Sequence, residues 1–195
     1  MLKEATWLKR FSDWFLKKKA EVEKMIYPQR IDESMLKEDH YVMRNGRAVD
    51  FHIGSSLDVE GIMEIQESAY GGKAPWSRLT VYNELQNSQS AFLMLSHYGE
   101  GLAFVALSIR QDSLHITNIA SKYPYKKQGF AHFLIQQTIE IAKKIDLNQL
   151  TLEVRVSNTP AKNLYRKIGF KDSYIKKNYY HDNGEDALEM YYEIE

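Results

Sequence analysis

Residues 113–131 read Ser-Leu-His-Ile-Thr-Asn-Ile-Ala-Ser-Lys-Tyr-Pro-Tyr-Lys-Lys-Gln-Gly-Phe-Ala. A strand-like run, Ser113–Ala120, leaves into a short basic turn containing glycine, and a helix over Phe130–Ile145 starts at once, with Leu134, Thr138, Ile141 and Ile145 in register. A strand–turn–helix of this kind points several backbone N–H groups, and the positive end of a helix dipole, at one spot. Gly129 removes a side chain so that an anion can approach the backbone, Ala131 is small for the same reason, and Lys126 and Lys127 add charge at the rim. The chemistry indicated is phosphate or pyrophosphate binding. The stretch lacks the longer glycine loop ending in Gly-Lys-Ser/Thr of a P-loop, and it lacks the three-glycine dinucleotide fingerprint.

Working outward, Ala91–Ser96, Leu102–Arg110 and Ser113–Ala120 are joined by short turns and predict an antiparallel meander. Upstream, Asn45-Gly46 between Tyr41–Arg44 and Arg47–Ile53 predicts a type I′ hairpin. Ser55 or Ser56 caps a helix carrying Ile62, Ile65, Gln66 and Ala69. Pro75-Trp76-Ser77 opens a second, with Leu79, Tyr82 and Leu85 on one side. Downstream, Leu150–Val156 is a strand. Asn158 caps a helix that runs to Ile168, with Pro160 in its first turn and Gly169 at its stop. Ser173–Tyr179 and Ala187–Ile194 close as strands around Asp182-Asn183-Gly184. The order is mixed α/β, with helices inserted between strands of one sheet.

Residues 2–25 predict one amphipathic helix, with Leu2, Trp7, Leu8, Phe11, Trp14, Phe15, Val22 and Met25 opposite a lysine-rich face. Packing on the rest of the chain, homodimerisation, and docking on a partner or a membrane surface are all open for it. The chain has 195 residues and no cysteine, which excludes a disulfide framework, a thiolate metal site and a cysteine nucleophile. Its six histidines show no metal-like spacing, so no metal is expected. No apolar run approaches the roughly 20 residues of a membrane span, and no secretory pattern opens the chain. A cytoplasmic protein without stable membrane insertion is expected. The formal net charge of zero argues against nucleic acid as a partner.

Several short pieces recur in one order: Asn118-Ile119-Ala120, Gln128-Gly129, Leu152-Glu153-Val154-Arg155, Ser157-Asn158, Leu164-Tyr165, Gly169-Phe170, Asn178-Tyr179-Tyr180 and Glu185-Asp186-Ala187, with Pro75-Trp76-Ser77 upstream. In this combination the chain resembles the GNAT acyltransferase superfamily and, within it, the ribosomal-protein alanine N-acetyltransferase family, from about Val49 to the C-terminus. The resemblance implies a mostly antiparallel central sheet flanked by helices over 49–195, preceded by an N-terminal helical extension over 1–48. It implies acetyl-CoA as donor. Ile119 and Ala120 would hold the pantetheine by backbone pairing, with strands 113–120 and 150–156 splayed to admit it. The loop Lys126, Lys127, Gln128, Gly129, Phe130, Ala131 and His132 would hold the pyrophosphate, and Asn158 would touch the cofactor. It further implies Glu153 as general base through water and Tyr165 as general acid. Trp76, Tyr179 and Tyr180 are candidates for the acceptor pocket. The chain departs from the family pattern at Lys126, where arginine or glutamine is usual, at Ala131 in place of a second glycine, at Pro124, one position late, and at His181 in place of a proline.

Each of these residues also has a plainer reading. Glu153 fits a strand carboxylate paired with Lys or Arg, and Tyr165 falls on the apolar face with Ala161, Leu164 and Ile168. Trp76, Tyr179 and Tyr180 fit ordinary packing, and His181 fits a solvated loop. The implied acceptor is the N-terminal α-amine of a protein such as a ribosomal protein. A small amine or a lysine is the alternative within the class, and a non-catalytic acyl-CoA-binding regulatory module is the alternative outside it. An α-amine has a pKa of about 7.7–8.0 and a lysine about 10.4, so neutralising the lysine at pH 7 costs roughly 3 kcal/mol more.

The zero net charge is a cancellation between regions. Residues 1–48 hold 11 basic and 8 acidic side chains, 49–121 hold 3 and 8, 122–177 hold 12 and 4, and 178–195 hold none and 6. The basic block coincides with the anion-binding loop, and the acidic blocks predict an acidic rim suited to a basic polypeptide.

Overall fold

The computed structural model describes Trp14, Phe15 and residues 30–195. Apart from Trp14 and Phe15, which are helical, the helix expected over 2–25 lies outside the described residues. Ile31–Glu195 form one compact unit. Its strands are β1 (His40–Val42), β2 (Ala48–Ile53), β3 (Ser90–His97), β4 (Glu100–Arg110), β5 (Ser113–Ser121), β6 (Gln149–Arg155), β7 (Lys171–Tyr180) and β8 (Glu185–Glu193). Its helices are α1 (Val59–Ala69), α2 (Arg78–Gln86), α3 (Phe130–Lys144) and α4 (Thr159–Ile168). The eight strands make one sheet in the order β1-β2-β3-β4-β5-β6-β8-β7. β5 and β6, connected through α3, run parallel, and the other neighbours are antiparallel. Among the described residues no helix is long and apolar enough to cross a membrane.

The central strands read as continuous apolar runs because both sheet faces are covered. Along β3, Ala91, Leu93 and Leu95 enter the core that contains Leu134, Ile135 and Ile139 of α3. Phe92 and Met94 enter a second core with Ile62 and Ile65 of α1 and Val81 and Leu85 of α2. The period of two within an unbroken apolar run thus divides the strand between two layers.

Two local expectations are corrected. The Asn45-Gly46 turn is a three-residue loop rather than a type I′ hairpin. Gly46 N–H donates to Met43 O at 2.9 Å and Met43 N–H to Arg47 O at 2.8 Å, and within the loop only Gly46 has positive φ, +82°. One left-handed glycine after a tight turn gives the G1-bulge hairpin, whereas type I′ needs two such residues. On α2 the buried positions are Val81 and Leu85, one helical turn apart, while Leu79 and Tyr82 are exposed. Ser77 caps the start of the helix, its side chain accepting the Thr80 N–H, and packing with Phe92 and Met94 decides which face is buried.

α1 lies unusually close to β4 because two glycines face each other. A Cβ on Gly101 would stand 3.2 Å from Gly61 Cα and 3.2 Å from Ile65 Cδ1. Gly101→Ala is expected to destabilise the domain by about 1–2 kcal/mol through overpacking, read as a lower urea midpoint at unchanged slope. An unchanged midpoint would show that the helix moves out freely. The spacing matters for the site, because Tyr70, at the end of α1, donates its hydroxyl to Asn118 Oδ1 of β5 at 2.8 Å.

Candidate active site

The β5–β6 seam defines the site. Pairing runs Ser113↔Gln149, Leu114↔Leu150, His115↔Thr151 and Ile116↔Leu152, and stops there. Beyond it the strands diverge, and among the described residues the β6-facing edge of 117–121 has no strand partner. The divergence has a local cause. On the other side of β5, Ala106 pairs with Asn118 and Leu107 with Ile116, so Thr117 is an extra residue. That bulge bends β5 away from β6, and Thr117 Oγ1 fixes it by donating to Ala106 O at 3.1 Å. Ile119 is half-buried and Ala120 buried on the diverging segment.

The loop after β5 delivers the second part. Lys127 has φ +63° and Gly129 φ +94°, two left-handed residues that curl the chain before α3. Gly129 is the N-cap of α3, with no side-chain cap and no acidic residue in the first turn. The N–H groups of Phe130, Ala131 and His132 therefore have no partner within the helix, and the first helical bond is Phe133 N–H to Gly129 O at 3.0 Å. Phe130 is buried in the core and contributes only backbone here, whereas Lys126, Lys127 and His132 are exposed. Amides without a partner in the helix, a positive dipole end and two exposed ammonium groups fit an anionic group such as a pyrophosphate. Asn158 has one side-chain role on view: its Oδ1 accepts Ala161 N–H at 3.2 Å and caps α4.

Glu153 sits on β6 just past the seam, with a side chain only 7% exposed. One oxygen accepts from Lys176 Nζ at 2.6 Å, and the other lies 3.0 Å from His115 Nε2. Lys176 also bonds Glu189 at 2.6 Å, and His115 Nδ1 lies 2.8 Å from Thr151 Oγ1. A carboxylate can only accept, so Nε2 carries the imidazole proton. In the neutral ring Nδ1 then accepts the Thr151 hydroxyl. Burial pushes the Glu153 carboxyl up, but the His115 and Lys176 hydrogen bonds and charges outweigh it and hold the pKa at about 2. The Lys176 ammonium is correspondingly held well above its usual range, against the pull of burial.

Tyr165, on α4, is 6% exposed and tilts against Phe170 with ring centroids 5.8 Å apart. Burial, reinforced by the nearby Tyr70 and Tyr180, pushes its phenol well above the usual range. Tyr179 and Tyr180 meet edge to face at 5.2 Å. The Arg155 guanidinium lies 3.8 Å from the Tyr180 ring centroid and binds Asp182 at 2.8 Å and Glu185 at 3.1 Å. Burial raises both tyrosines, Tyr180 to about 12. Trp76 is half-buried. Its ring packs edge-on to Phe92 at 6.1 Å, and the Trp76 backbone N–H donates to Gln66 Oε1 at 3.2 Å. His181 stands exposed at the start of the β7–β8 turn.

The structure thus brings Glu153, Tyr165, Tyr180 and the diverging edge of β5 to one end of the sheet. It adds His115, Lys176, Thr151 and Tyr70, which the sequence reading missed. His115 was findable. Parallel pairing sets it opposite Thr151, and strand alternation places Glu153 on the same face two residues on. The acidic side chains of 178–195 are mostly paired within the domain. Asp182, Glu185, Asp186, Glu189 and Glu193 are each paired with Arg155, Lys176, Lys177 or Lys171.

A family model described as Acetyltransferase (GNAT) family matches residues 59–170. A Bacillus subtilis (strain 168) protein provisionally named ribosomal protein bS18-alanine N-acetyltransferase is 39% identical over 138 residues, 70% of this chain and 90% of that protein. The ribosomal protein bS18-alanine N-acetyltransferase of Escherichia coli (strain K12) is 32% identical over 137 residues, 69% of this chain and 90% of its own length. The crystal structure of the ribosomal-protein-S18-alanine N-acetyltransferase from Escherichia coli has a TM-score of 0.66 at 31% identity, covering 74% of this chain and 94% of that chain.

Proposed function

The chain belongs to the GNAT acetyltransferase family, and from that premise we propose that it acetylates the N-terminal α-amine of a protein, with the alanine of a ribosomal protein as the favoured acceptor. The observation that carries this reading is the sheet opening beyond Ile116 and Leu152, flanked by amides without a partner in the helix on one side and Glu153 and Tyr165 on the other. The relatives' names supply the acceptor class. Acetyl-CoA, when bound, supplies the acetyl thioester. Under this reading, the β5 edge at Ile119 and Ala120 and the loop from Lys126 to His132 bind it, with Asn158 beside it.

Glu153 is proposed to take the acceptor's proton through water. At about 2 it is too weak a base to strip an ammonium of pKa near 8 directly. The acceptor therefore enters as its neutral fraction, which is appreciable for an α-amine and negligible for a lysine. Glu153 then removes a proton from the amine nitrogen after it has attacked, when that proton is far more acidic. Tyr165 Oη holds a proton across the whole working pH range and is proposed to give it to the departing sulfur. Tyr179, Tyr180 and Trp76 are proposed to line the acceptor pocket, on an acetyltransferase domain over 49–195 that packs with residues 31–48 as one compact unit. Nucleic acid has no place in this reading, in keeping with the carboxylate partners of Arg155, Lys171, Lys176 and Lys177. The cytoplasm, where a ribosomal acceptor is made, is the location proposed.

The test is thiol release from acetyl-CoA with two peptides of one sequence. One has a free N-terminal alanine and an internal lysine, and the other has the same lysine but a blocked N-terminus. Turnover of the free peptide at least tenfold above the blocked one is expected. Equal rates, or turnover of small amines alone, would overturn the α-amine assignment. Binding of acetyl-CoA without transfer to any acceptor would favour the regulatory-module alternative.

A further inference from the structure

The N-terminal arm, residues 31–43, precedes the stretch matched by the family model, which begins at residue 59. It is nevertheless built into the domain. Ile31 and Met43 are buried in the main core, Glu33 accepts the Ile53 N–H at 2.7 Å, and Lys144 Nζ donates to Met35 O at 2.9 Å. Its short strand β1 pairs with β2 and carries Tyr41 opposite Val49. The Tyr41 ring packs on Phe130 and Phe133, at centroid distances of 5.7 Å and 4.8 Å. Its hydroxyl donates to the backbone carbonyl of Gln128 at 2.8 Å.

That bond has a geometric consequence. The Gln128 carbonyl and the Gly129 N–H belong to one planar trans peptide and point in opposite directions. Pinning the carbonyl to Tyr41 aims the Gly129 N–H to the other side of the loop. A flip of this peptide would exchange a donor for a carbonyl oxygen, which repels an anion. Gly129, at φ +94°, is free to flip as few residues are. A Cβ there would stand 2.5 Å from the Tyr41 hydroxyl oxygen, so glycine is also what lets Tyr41 reach the carbonyl.

We infer that Tyr41 is a positioning residue for the anion-binding loop, holding the Gln128–Gly129 peptide in the orientation that presents its N–H to the donor's pyrophosphate. The inference rests on the reading of 126–132 as the pyrophosphate loop. Tyr41 does not touch the donor. It acts through the Gln128 carbonyl, from a strand that lies on the far side of the sheet order from the opening between β5 and β6.

The experiment compares wild type with Tyr41→Phe, which keeps the ring packing and removes only the hydroxyl. Calorimetry gives Kd for CoA and for pantetheine, which lacks the pyrophosphate. Kinetics give kcat and KM for acetyl-CoA and kcat/KM for S-acetylpantetheine. The expected result is Kd and KM for the CoA compounds raised about tenfold, the effect of one lost hydrogen bond, with kcat and all pantetheine values within twofold of wild type. Equal losses on both donor types would assign Tyr41 a general structural role and overturn the inference, as would no change on either. If wild-type protein binds CoA no better than pantetheine, the pyrophosphate reading itself fails, an outcome distinct from a variant that matches a tight-binding wild type.

Discussion

Tyr165→Phe is expected to lower kcat by about 10²- to 10³-fold, within the usual span of about 10²- to 10⁴-fold for losing a general acid, while Kd for CoA stays within twofold. The substitution is close to isosteric. The ring sits buried against Phe170, and phenylalanine keeps that contact. What goes is a hydroxyl whose proton burial and the neighbouring Tyr70 and Tyr180 hold in place. A departing thiolate then has to take its proton from water. The alkaline limb of the wild-type pH–rate profile provides a second reading. A phenol held above its ordinary range leaves no falling limb below about pH 10. An unchanged kcat in the variant would return Tyr165 to the role of a core tyrosine, and the proton would have to come from elsewhere.

Lys176→Met is expected to destabilise the domain by about 2–3 kcal/mol at pH 7. Breaking a fully buried ion pair from one side costs about 3–5 kcal/mol, and a smaller cost is expected here because the Lys176 side chain is 26% exposed. Glu153 would remain beside His115 without its ammonium partner. The sign of the pH dependence follows from the depressed Glu153 pKa of about 2. Stability from such a carboxylate is in full force above its unfolded pKa, about 4.3, and is lost as pH falls toward 2. The wild type therefore loses its advantage over the variant between about pH 5 and pH 2, and the two urea midpoints converge. Lys176→Arg keeps the charge and is expected to recover most of the difference. A deficit equal at pH 7 and pH 3 would mean that the lysine contributes packing alone.

Much of the architecture is legible because it is written in short-range terms. The meander β3–β5 follows from apolar runs broken by Tyr98-Gly99 and Gln111-Asp112, residues of which three adopt positive φ. The start of α3 follows from Gly129, and the bounds of α4 from Asn158, Pro160 and Gly169. What the sequence did not disclose depends on register and on distance along the chain. Lys176 of β7 reaches Glu153 of β6 across the intervening β8, where Glu189 stands opposite Glu153. The partner of the central carboxylate thus lies two strands away in the sheet and 23 residues away in sequence. Tyr41 reaches Gln128 across 87 residues, and no local pattern marks either meeting. The phase of α2 was lost for the opposite reason. A nine-residue helix with apolar side chains at 79, 81, 82 and 85 offers two faces, and only the tertiary contact with Phe92 and Met94 chooses between them.

The four-pair seam between β5 and β6 also bears on how the molecule holds together. Five strands lie on one side of it and three on the other, so hydrogen-bond continuity between these two groups of strands runs through four residue pairs. A molecule lodged in the opening beyond Ile116 and Leu152 would bridge the two halves where the backbone does not. It would act as a brace as well as a reactant, adding about 2.7 kcal/mol of native-state stability at one hundred times its Kd. Amide exchange on β6 and β8 would then slow along with that on β5. The protein would be at its most rigid when loaded and at its most open between turnovers.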